Sequence, residues 1–284
     1  MIPLAQWPLA QRRGILGVFT DIDDTLTTHQ AITPDALQAL ADLKAAGLVV
    51  IPITGRPIGW CEPHALGDAA QGLRAWPVDA MVAENGGAAF APTLTSQNGL
   101  QPLFQKGQQL SKIYYANAAE RAINTRKMQH VVQRILSEIP GTAQSQDSAG
   151  RETDIAIDHA ELVTLAPEKV AQVVALMRAE GMQATVSSIH INGWYGSHNK
   201  LEAARWMLST LFGRSLDDEI DRWVYVGDST NDQLMFQHFP HSVGVANIHD
   251  FDKQLQHWPR YETMAPRGAG FAELVSAIVQ ARTT

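Results

Sequence analysis

Cysteine is nearly absent from this chain, because Cys61 is the single cysteine among 284 residues. One thiol cannot form an internal disulfide, so a packed core must hold the fold together. Hydrophobic residues make up 45% of the chain, which is enough for such a core in one large or two ordinary domains. Long apolar runs are also missing, which excludes a membrane span. These features predict a soluble globular protein.

Positive charge is scarce as well. The chain has 22 lysines and arginines against 29 aspartates and glutamates, for a net charge of -7. Nucleic acids and membrane surfaces select for basic patches, so neither is an expected partner. Residues 1–14 place their arginines after the apolar residues, which is the reverse of a signal peptide. The expected location is therefore cytoplasmic.

Short apolar runs alternate with helical patterns along most of the chain, and they are typical of strands buried on both faces of a parallel sheet. Five such runs occupy residues 14–20, 48–53, 79–84, 223–227 and 242–246. A helix is predicted between the first two, with Thr33 as N-cap, Pro34 in the first turn, Gly47 as the stop, and a stripe at Leu37, Leu40 and Leu43. The fold class is therefore α/β, with a Rossmann-like, doubly wound parallel sheet.

The middle of the chain has a different pattern. Strand pieces are predicted at 88–90, 102–105, 154–158 and 185–191, and helices at 117–139 and 167–180. This mixture indicates an α+β module at 87–192, inserted into a core formed by 1–86 and 193–284. Gly86, Gly87, Gly193 and Gly196 flank the insert and are either hinges or ordinary turn glycines.

Chemistry-bearing residues follow three of the predicted strands. DIDDT at 21–25 follows the first, TGR at 54–56 the second, and GDSTND at 227–232 the fourth. Ligands of open parallel sheets bind at the carboxyl ends of the strands, so these segments are expected to converge. DIDDT alone is equally typical of a turn or a helix cap. Together, the carboxylates of Asp21, Asp23 and Asp228 can share a hard divalent cation such as Mg²⁺.

The order of these motifs resembles the haloacid dehalogenase superfamily of phosphatases over essentially the whole chain. VAENGG at 82–87 and the spacing from Gly196 to Lys200 are similar to the branch with a large α/β cap. That branch includes sucrose phosphatase, mannosyl-3-phosphoglycerate phosphatase and Cof-type sugar phosphatases. The sequence departs from the commonest motif at Asp24, where a glycine is frequent, and we expect Asp24 to be a helix-capping or solvated residue.

The resemblance implies a role for each motif position. Asp21 would be the nucleophile that forms an aspartyl-phosphate, and Asp23 the general acid and base. The predicted metal ligands are Asp21, Asp228 and Asp23, the last through its backbone carbonyl. The predicted phosphate and substrate contacts are Thr54, Gly55, Arg56, Lys200 and Asn231, with Thr54 and Lys200 also catalytic. Asp232 would support the metal waters or orient Lys200.

Specificity for the leaving group is expected to come from the insert, because the core motifs are occupied by phosphate and metal. The stretch 187–194 leads from the last strand of the insert back towards the core, and it contains His190, Asn192 and Trp194. Aromatic rings beside amide or imidazole donors suit a sugar, which has an apolar CH face and a rim of hydroxyl groups. The alternative is that His190 and Trp194 only pack the junction between insert and core.

The predicted function is that of a magnesium-dependent phosphomonoester hydrolase acting on a small phosphorylated substrate, a sugar phosphate or a phosphorylated sugar derivative. Two alternatives stay open. A phosphohexomutase of the phosphomannomutase type would share the aspartyl nucleophile and a similar cap. A regulatory protein would bind sugar phosphate without turnover, although all four motif positions are intact.

Overall fold

The computed structural model describes residues 1–92, 109–187 and 189–283. The predicted strand piece at 102–105 lies outside the described residues. The helices are α1 Leu9–Arg13, α2 Pro34–Ala45, α3 Ile58–Leu66, α4 Ala118–Glu138, α5 Pro167–Ala179, α6 Lys200–Phe212, α7 Gln233–His238 and α8 Arg267–Thr283. The strands are β1 Ile2–Pro3, β2 Gly17–Thr20, β3 Thr27–Thr28, β4 Ala31–Ile32, β5 Val49–Pro52, β6 Met81–Ala83, β7 Ala88–Pro92, β8 Leu110–Tyr114, β9 Ala143–Gln144, β10 Ile155–Asp158, β11 Gln183–Val186, β12 His190–Trp194, β13 Trp223–Gly227, β14 His241–Gly244 and β15 Tyr261–Glu262.

The core is a six-stranded sheet in the order β1-β15-β14-β13-β2-β5, and every neighbouring pair is parallel. Successive side chains of a strand point to opposite faces, and β2 shows this directly. Val18 packs into the hydrophobic cluster that contains Leu40 of α2 and Leu274 of α8. Phe19 packs into the cluster on the other face, which contains Met207 of α6. Helices therefore cover both faces of a parallel sheet, which confirms the predicted α/β class.

The predicted helix after β2 is present as α2, with Pro34 in its first turn. Thr33 occupies the N-cap position with extended backbone, but its side chain makes no capping hydrogen bond. Leu40 and Leu43 are buried as expected. Leu37 is 39% exposed, so its assignment to the buried stripe was wrong. Small residues such as Ala36 take the remaining buried positions, where the helix lies close to α8.

The strand predicted at 79–84 forms as β6, but it does not extend the six-stranded sheet as a full member. A parallel bridge between Ile53 and Val82 joins it to the chain just after β5. β6 otherwise pairs antiparallel with β7, which pairs antiparallel with β8. Because β7 and β8 pair with β6, we propose that the separately packed part of the predicted insert begins after Tyr114.

The rest of the insert forms an antiparallel sheet in the order β11-β12-β10-β9. Ile155, Ile157 and Ile191 pack with residues of α4 and α5 in a third hydrophobic cluster. The alternate residues of β10 and β12 therefore point to the opposite face. The single strand predicted at 185–191 is instead two strands, because a turn in which the Ser187 amide donates to the His190 carbonyl separates β11 from β12.

No helix among the described residues is long and apolar enough to cross a membrane.

Candidate active site

The three motifs meet at one edge of the core sheet. β2, β5 and β13 are parallel neighbours in that sheet, so the segments that follow them leave at the same edge. Residues 21–25 follow β2, residues 54–56 follow β5 and residues 228–232 follow β13. Lys200, the first residue of α6, lies at the same edge. We call this group of residues the catalytic edge.

Lys200 joins two carboxylates of the catalytic edge. Its Nζ lies 2.6 Å from Asp21 Oδ1 and 2.7 Å from Asp232 Oδ1, and the Lys200 side chain is only 3% exposed. Tyr225 lies 3.4 Å from the same ammonium and donates its hydroxyl proton to Asp232. Burial alone would lower the pKa of Lys200, but Asp21 and then Asp232 outweigh it and raise that pKa. Lys200 is therefore a fixed positive charge.

Three buried carboxylates form a cluster, and two of them, Asp21 and Asp232, contact the Lys200 ammonium. Oxygens of Asp21, Asp228 and Asp232 all lie within 4.8 Å of one another. Burial raises the pKa of Asp21 to about 7, an effect that Lys200 opposes and that repulsion from Asp232 and Asp23 increases. Burial, followed by repulsion from Asp21 and Asp232, also raises the pKa of Asp228 well above its usual value. The cluster has more negative than positive charge, and a divalent cation fits it.

Hydrogen bonds hold both oxygens of Asp228 and the second oxygen of Asp232 in place. Asp228 Oδ1 accepts from the Thr25 hydroxyl at 2.9 Å, and Asp228 Oδ2 accepts from the Asn247 amide at 3.3 Å. Asp232 Oδ2 accepts from the backbone amides of Asp228 at 3.0 Å and Ser229 at 3.1 Å. Asp232 therefore both orients Lys200 and shapes the 228–232 turn. The motif sequence placed Asp232 here but did not indicate its full burial.

The Asp23 carboxylate is not one of the three whose oxygens lie within 4.8 Å of one another. Its two oxygens accept from Arg56 Nε at 2.9 and 3.0 Å, and Arg56 also lies 2.8 Å from Oδ1 through its terminal nitrogen. Arg56 is the partner of the Asp23 carboxylate in the structure, and a cation shared by Asp21, Asp23 and Asp228 stays a prediction. A role for the Asp23 backbone carbonyl stays a prediction. Arg56 also reaches the insert, at 3.7 Å from Asp147 and 3.9 Å from Glu161.

Asp24 does not cap a helix, and its side chain is 27% exposed and paired with an arginine. Its carboxylate accepts from Arg267 Nε at 2.8 Å, and its carbonyl accepts from the Asn247 amide at 3.0 Å. Its backbone has a φ of 54°, in the left-handed region that glycine adopts most easily and aspartate tolerates. This conformation explains why glycine suits the position.

Thr54 and Gly55 form the neighbouring part of the catalytic edge. Thr54 is fully buried, and its hydroxyl accepts from the Arg56 amide at 3.0 Å. A side chain at Gly55 would meet Asn85 Nδ2 at 3.2 Å, so the absence of a Cβ lets this loop pack closely. The Gly55 carbonyl accepts from Arg151 of the insert at 2.9 Å. Asn231 lies near this loop and accepts from the Ser229 hydroxyl at 2.8 Å.

A small pocket lies between the catalytic edge and the insert. Its walls are formed by Asp21, Asp23, Gly55, Arg56, Ser187, Ile189, His190, Asn192, Ser229 and Asn231. The structure therefore brings most predicted substrate contacts together around one space. Ser187 and Ile189 were missed by the sequence reasoning, although both belong to the SSIHINGW stretch that supplied His190 and Asn192. Their place in the turn between β11 and β12 explains why they reach the core.

The three residues predicted to read the leaving group have different surroundings. His190 lines the pocket and lies 2.9 Å from Glu161 Oε2, and burial, followed by Arg151, lowers its pKa. Asn192 lines the pocket but donates to Asp154 at 3.0 Å and to the Gly55 carbonyl at 3.4 Å. Trp194 is buried against His198, to whose carbonyl its Nε1 donates at 2.9 Å. These contacts favour a packing role for Trp194.

Glu84 is a second link between core and insert that sequence reasoning missed. Its carboxylate is fully buried and accepts from the backbone amide of Ile58 at 2.9 Å, at the start of α3. It also accepts from the amides of Glu152 and Thr153 and from the Thr153 hydroxyl. Glu84 stands in the VAENGG stretch, with a φ of 51° that sequence alone does not reveal.

The family model described as haloacid dehalogenase-like hydrolase matches residues 18–258. This span covers most of the chain and contains every motif of the catalytic edge. The chain therefore belongs to the haloacid dehalogenase-like hydrolases, as the resemblance of its motifs implied. A search of curated proteins found no significant match.

Solved structures share the fold at low sequence identity. A protein from Plasmodium vivax described as a HAD/COF-like hydrolase has a TM-score of 0.65 at 15% identity, covering 96% of this chain and 99% of its own. Sucrose-phosphatase from Synechocystis, solved with sucrose and phosphate, has a TM-score of 0.60 at 15% identity, covering 93% and 97%. The C-terminal domain of trehalose-6-phosphate phosphatase from C. albicans has a TM-score of 0.62 at 11% identity, covering 96% and 95%.

Proposed function

We propose that this protein hydrolyses the phosphate monoester of a sugar or sugar derivative through an aspartyl-phosphate on Asp21. One observation carries the proposal. The buried ammonium of Lys200 contacts both Asp21 and Asp232, and Thr54 lies at the same edge of the sheet. A carboxylate held next to a fixed positive charge suits attack on phosphorus. A loop that contains a threonine and a glycine lies beside it and can bind the phosphoryl oxygens.

Magnesium is the cofactor that we propose for this site. The residues that would hold it are Asp21 and Asp228 with their carboxylates and Asp23 with its backbone carbonyl. The fit rests on the three buried carboxylates within 4.8 Å and on the raised pKa values of Asp21 and Asp228, which reflect unbalanced negative charge. When bound, the ion would balance charge on these carboxylates and on the phosphoryl group.

In the first step, an Asp21 oxygen attacks phosphorus while the bond between phosphorus and the sugar oxygen breaks. Asp23 gives its proton to the departing sugar oxygen, so the sugar leaves as an alcohol. Lys200 balances charge on Asp21 and on the phosphoryl oxygens, and Thr54, the Gly55 amide and Asn231 hold those oxygens. Arg56 orients the Asp23 carboxylate, and its contacts with Asp147 and Glu161 connect that orientation to the insert.

In the second step, Asp23 takes a proton from a water molecule, which attacks the phosphorus of the aspartyl-phosphate. The bond between phosphorus and Asp21 breaks, inorganic phosphate leaves, and both aspartates return to their starting states. The insert closes over the catalytic edge through the Arg151 contact with Gly55 and through Glu84, which supports a role in excluding bulk water.

A sugar leaving group is supported by the pocket and by the structural relatives. His190, Ser187 and the Asn192 amide face the pocket beside Ile189, and such a mixture suits hydroxyl groups on a ring with apolar CH faces. The similar structures named as sucrose-phosphatase and trehalose-6-phosphate phosphatase act on phosphorylated sugars by their names.

The direct test is phosphate release from p-nitrophenyl phosphate with Mg²⁺, followed by a panel of sugar monophosphates. Incubation with a hexose bisphosphate provides a contrast, because a mutase would return a phosphoryl group to the hexose instead of releasing phosphate. Sugar phosphate binding without any phosphate release would contradict the proposal and favour a regulatory protein.

A further inference from the structure

A second cavity of about 270 Å³ lies within the insert, and it shares no lining residue with the pocket at the catalytic edge. One wall is formed by α4, and the opposite wall includes Gln144 of β9 and the segment 148–155. We call this cavity the insert cleft. Its volume corresponds to roughly nine water molecules of ~30 Å³ each and lies just below the usual range of small-molecule sites, roughly 300–1,000 Å³. A ligand of hexose size suits this volume.

The lining of the insert cleft is amphipathic. Met128, Val132 and Ile155 provide an apolar floor, and each is at most 8% exposed. Gln129, Gln133 and Gln144 also line the cleft, and the described part of the chain offers their side-chain amides no hydrogen-bond partner. Each amide can donate and accept at once, which is what neighbouring hydroxyl groups of a polyol require. The apolar floor suits the CH face of the same molecule.

The charged groups at the cleft are already paired. Arg151 donates to Asp147, Asp154 and the Gly55 carbonyl, and its side chain is 2% exposed. Glu152 accepts from Lys112 at 2.8 Å and from the Tyr114 hydroxyl at 2.5 Å. Among the described residues that line the cleft, no cation is left to bind a phosphate or a carboxylate, so an anion would lose hydration without compensation. A neutral ligand is therefore favoured.

The wall of the insert cleft is also the segment that holds the insert against the core. Arg151 reaches the Gly55 carbonyl at 2.9 Å, and Gly55 belongs to the proposed phosphate-binding loop. The backbone amide of Glu152 donates to Glu84, while its side chain pairs with Lys112 of β8. A ligand that contacts Arg151 or Glu152 therefore contacts residues that connect the insert to the catalytic edge.

We propose that the insert cleft binds a neutral polyol of up to hexose size, and that this binding changes how the insert is held against the catalytic edge. A sugar bound there would act as an effector at a place separate from the substrate pocket. Binding itself does not depend on the proposed phosphatase reaction, because the contacts that carry it lie within the insert.

Binding is tested on the full chain labelled with ¹³C at its methionine methyl groups, with glucose and mannitol as probes and gluconate as the charged counterpart. We expect saturable shifts of the Met128 methyl with the neutral probes at millimolar concentration, a range that corresponds to roughly 4 kcal/mol of binding free energy at 1 mM. Met264, which is 88% exposed and does not line the cleft, should not shift. An unmoved Met128, or an equal response to gluconate, would overturn the proposal.

A double variant, Gln129→Leu with Gln133→Leu, should weaken glucose binding at least tenfold, since both positions are exposed and the change removes only hydrogen-bonding groups. Gln172→Leu on the exposed side of α5 is the matched control and should bind as wild type does. Unchanged binding by the double variant would place the sugar elsewhere, including the substrate pocket.

Coupling is measured as kcat and KM for p-nitrophenyl phosphate with and without mannitol. We expect at least a threefold change in kcat/KM for wild type and for Gln172→Leu, and none for the double variant. Saturation of the Met128 shift without any change in these constants would show that the cleft is not an effector site and would overturn the second part of the proposal.

Discussion

Lys200 Nζ lies 2.6 Å from Asp21 Oδ1, although the two residues are 179 positions apart in the chain. The parallel sheet brings them together, because Asp21 follows β2 and Lys200 begins α6 after the insert. The pair is buried, so the attraction is little screened by water and fixes the direction of the Asp21 carboxylate. The attack on phosphorus that we propose would use the other Asp21 oxygen.

Replacement of the proposed nucleophile tests this geometry. Asp21→Asn keeps the shape of the side chain but removes the attacking charge, so we expect kcat for p-nitrophenyl phosphate to fall by roughly 10³-fold or more. The variant should still fold, because it removes one member of a crowded carboxylate cluster and Lys200 keeps Asp232. Steady-state kinetics and thermal unfolding measure the two effects. Activity within tenfold of wild type would exclude Asp21 as nucleophile.

Asp23 and Asp24 are adjacent carboxylates with different partners, and they form a matched pair. Asp23 pairs with Arg56 at the pocket, and Asp24 pairs with Arg267. We expect Asp23→Asn to reduce kcat/KM for a sugar phosphate more than for p-nitrophenyl phosphate, because nitrophenolate leaves without a proton. Asp24→Asn should change kcat/KM by no more than a few-fold for either substrate. Equal losses on both substrates for Asp23→Asn would argue against its role as general acid.

Metal dependence follows from the charge imbalance of the cluster. Chelation with EDTA should abolish turnover, Mg²⁺ should restore it, and Ca²⁺ should restore it poorly because its larger, looser coordination misplaces the phosphate. Binding to the folded state alone also raises the unfolding temperature. We expect Mg²⁺ to raise it for wild type and much less for Asp228→Asn, which differential scanning calorimetry can measure without any substrate. Full activity in EDTA would contradict a resident magnesium ion.

Much of the fold was predictable because buried parallel strands leave a strong local pattern. The strand at Trp223–Gly227 agrees with the predicted range residue for residue, and α4 and α5 agree within about one residue at each end. One strand was predicted at 185–191, where the structure has two, because the turn that divides them depends on Ser187 and His190 hydrogen bonds. Pairing of β7 with β6 was equally hidden, since sequence periodicity does not reveal a strand's partner.

The sequence predicted which residues form the candidate site better than it predicted where their side chains point. Strand ends of a parallel sheet must meet, which placed Asp21 and Asp228 together, and the family resemblance added Lys200. Motif spacing did not show that Asp23 turns towards Arg56 or that Asp24 pairs with Arg267, because these directions depend on backbone angles and on residues far away in sequence. Arg151 and Glu84 were missed because no motif chemistry distinguishes a residue that joins two modules.

A substitution at Asn192 tests whether this residue contacts the sugar or holds the insert against the core. Asn192→Ala removes the hydrogen bonds to Asp154 and to the Gly55 carbonyl, so we expect a loss of kcat/KM for p-nitrophenyl phosphate as well as for the sugar phosphate. Gln183→Ala, at an exposed position of β11, is the control and should behave as wild type. A raised KM for the sugar phosphate alone would instead identify Asn192 as a direct sugar contact.

His198 makes stability depend on pH. It is 4% exposed, lies between the rings of Trp194 and Tyr115, and its buried Nε2 has no hydrogen-bond partner among the described residues. Burial lowers its pKa from 6.5 to about 4, because the charged imidazolium would lose its hydration. The unfolded chain therefore binds a proton between these two pH values while the folded chain does not.

Protonation of the unfolded chain makes the folded state less stable as pH falls. The contribution of His198 is fully present above pH 6.5, is lost progressively down to about pH 4, and amounts to about 3 kcal/mol over that interval. We expect His198→Gln to make the decrease in the free energy of unfolding between pH 6.5 and pH 4 smaller, and His257→Gln at an exposed position is the control variant. Urea unfolding at a series of pH values measures both slopes. A wild-type slope retained in His198→Gln would show that another group controls this pH range.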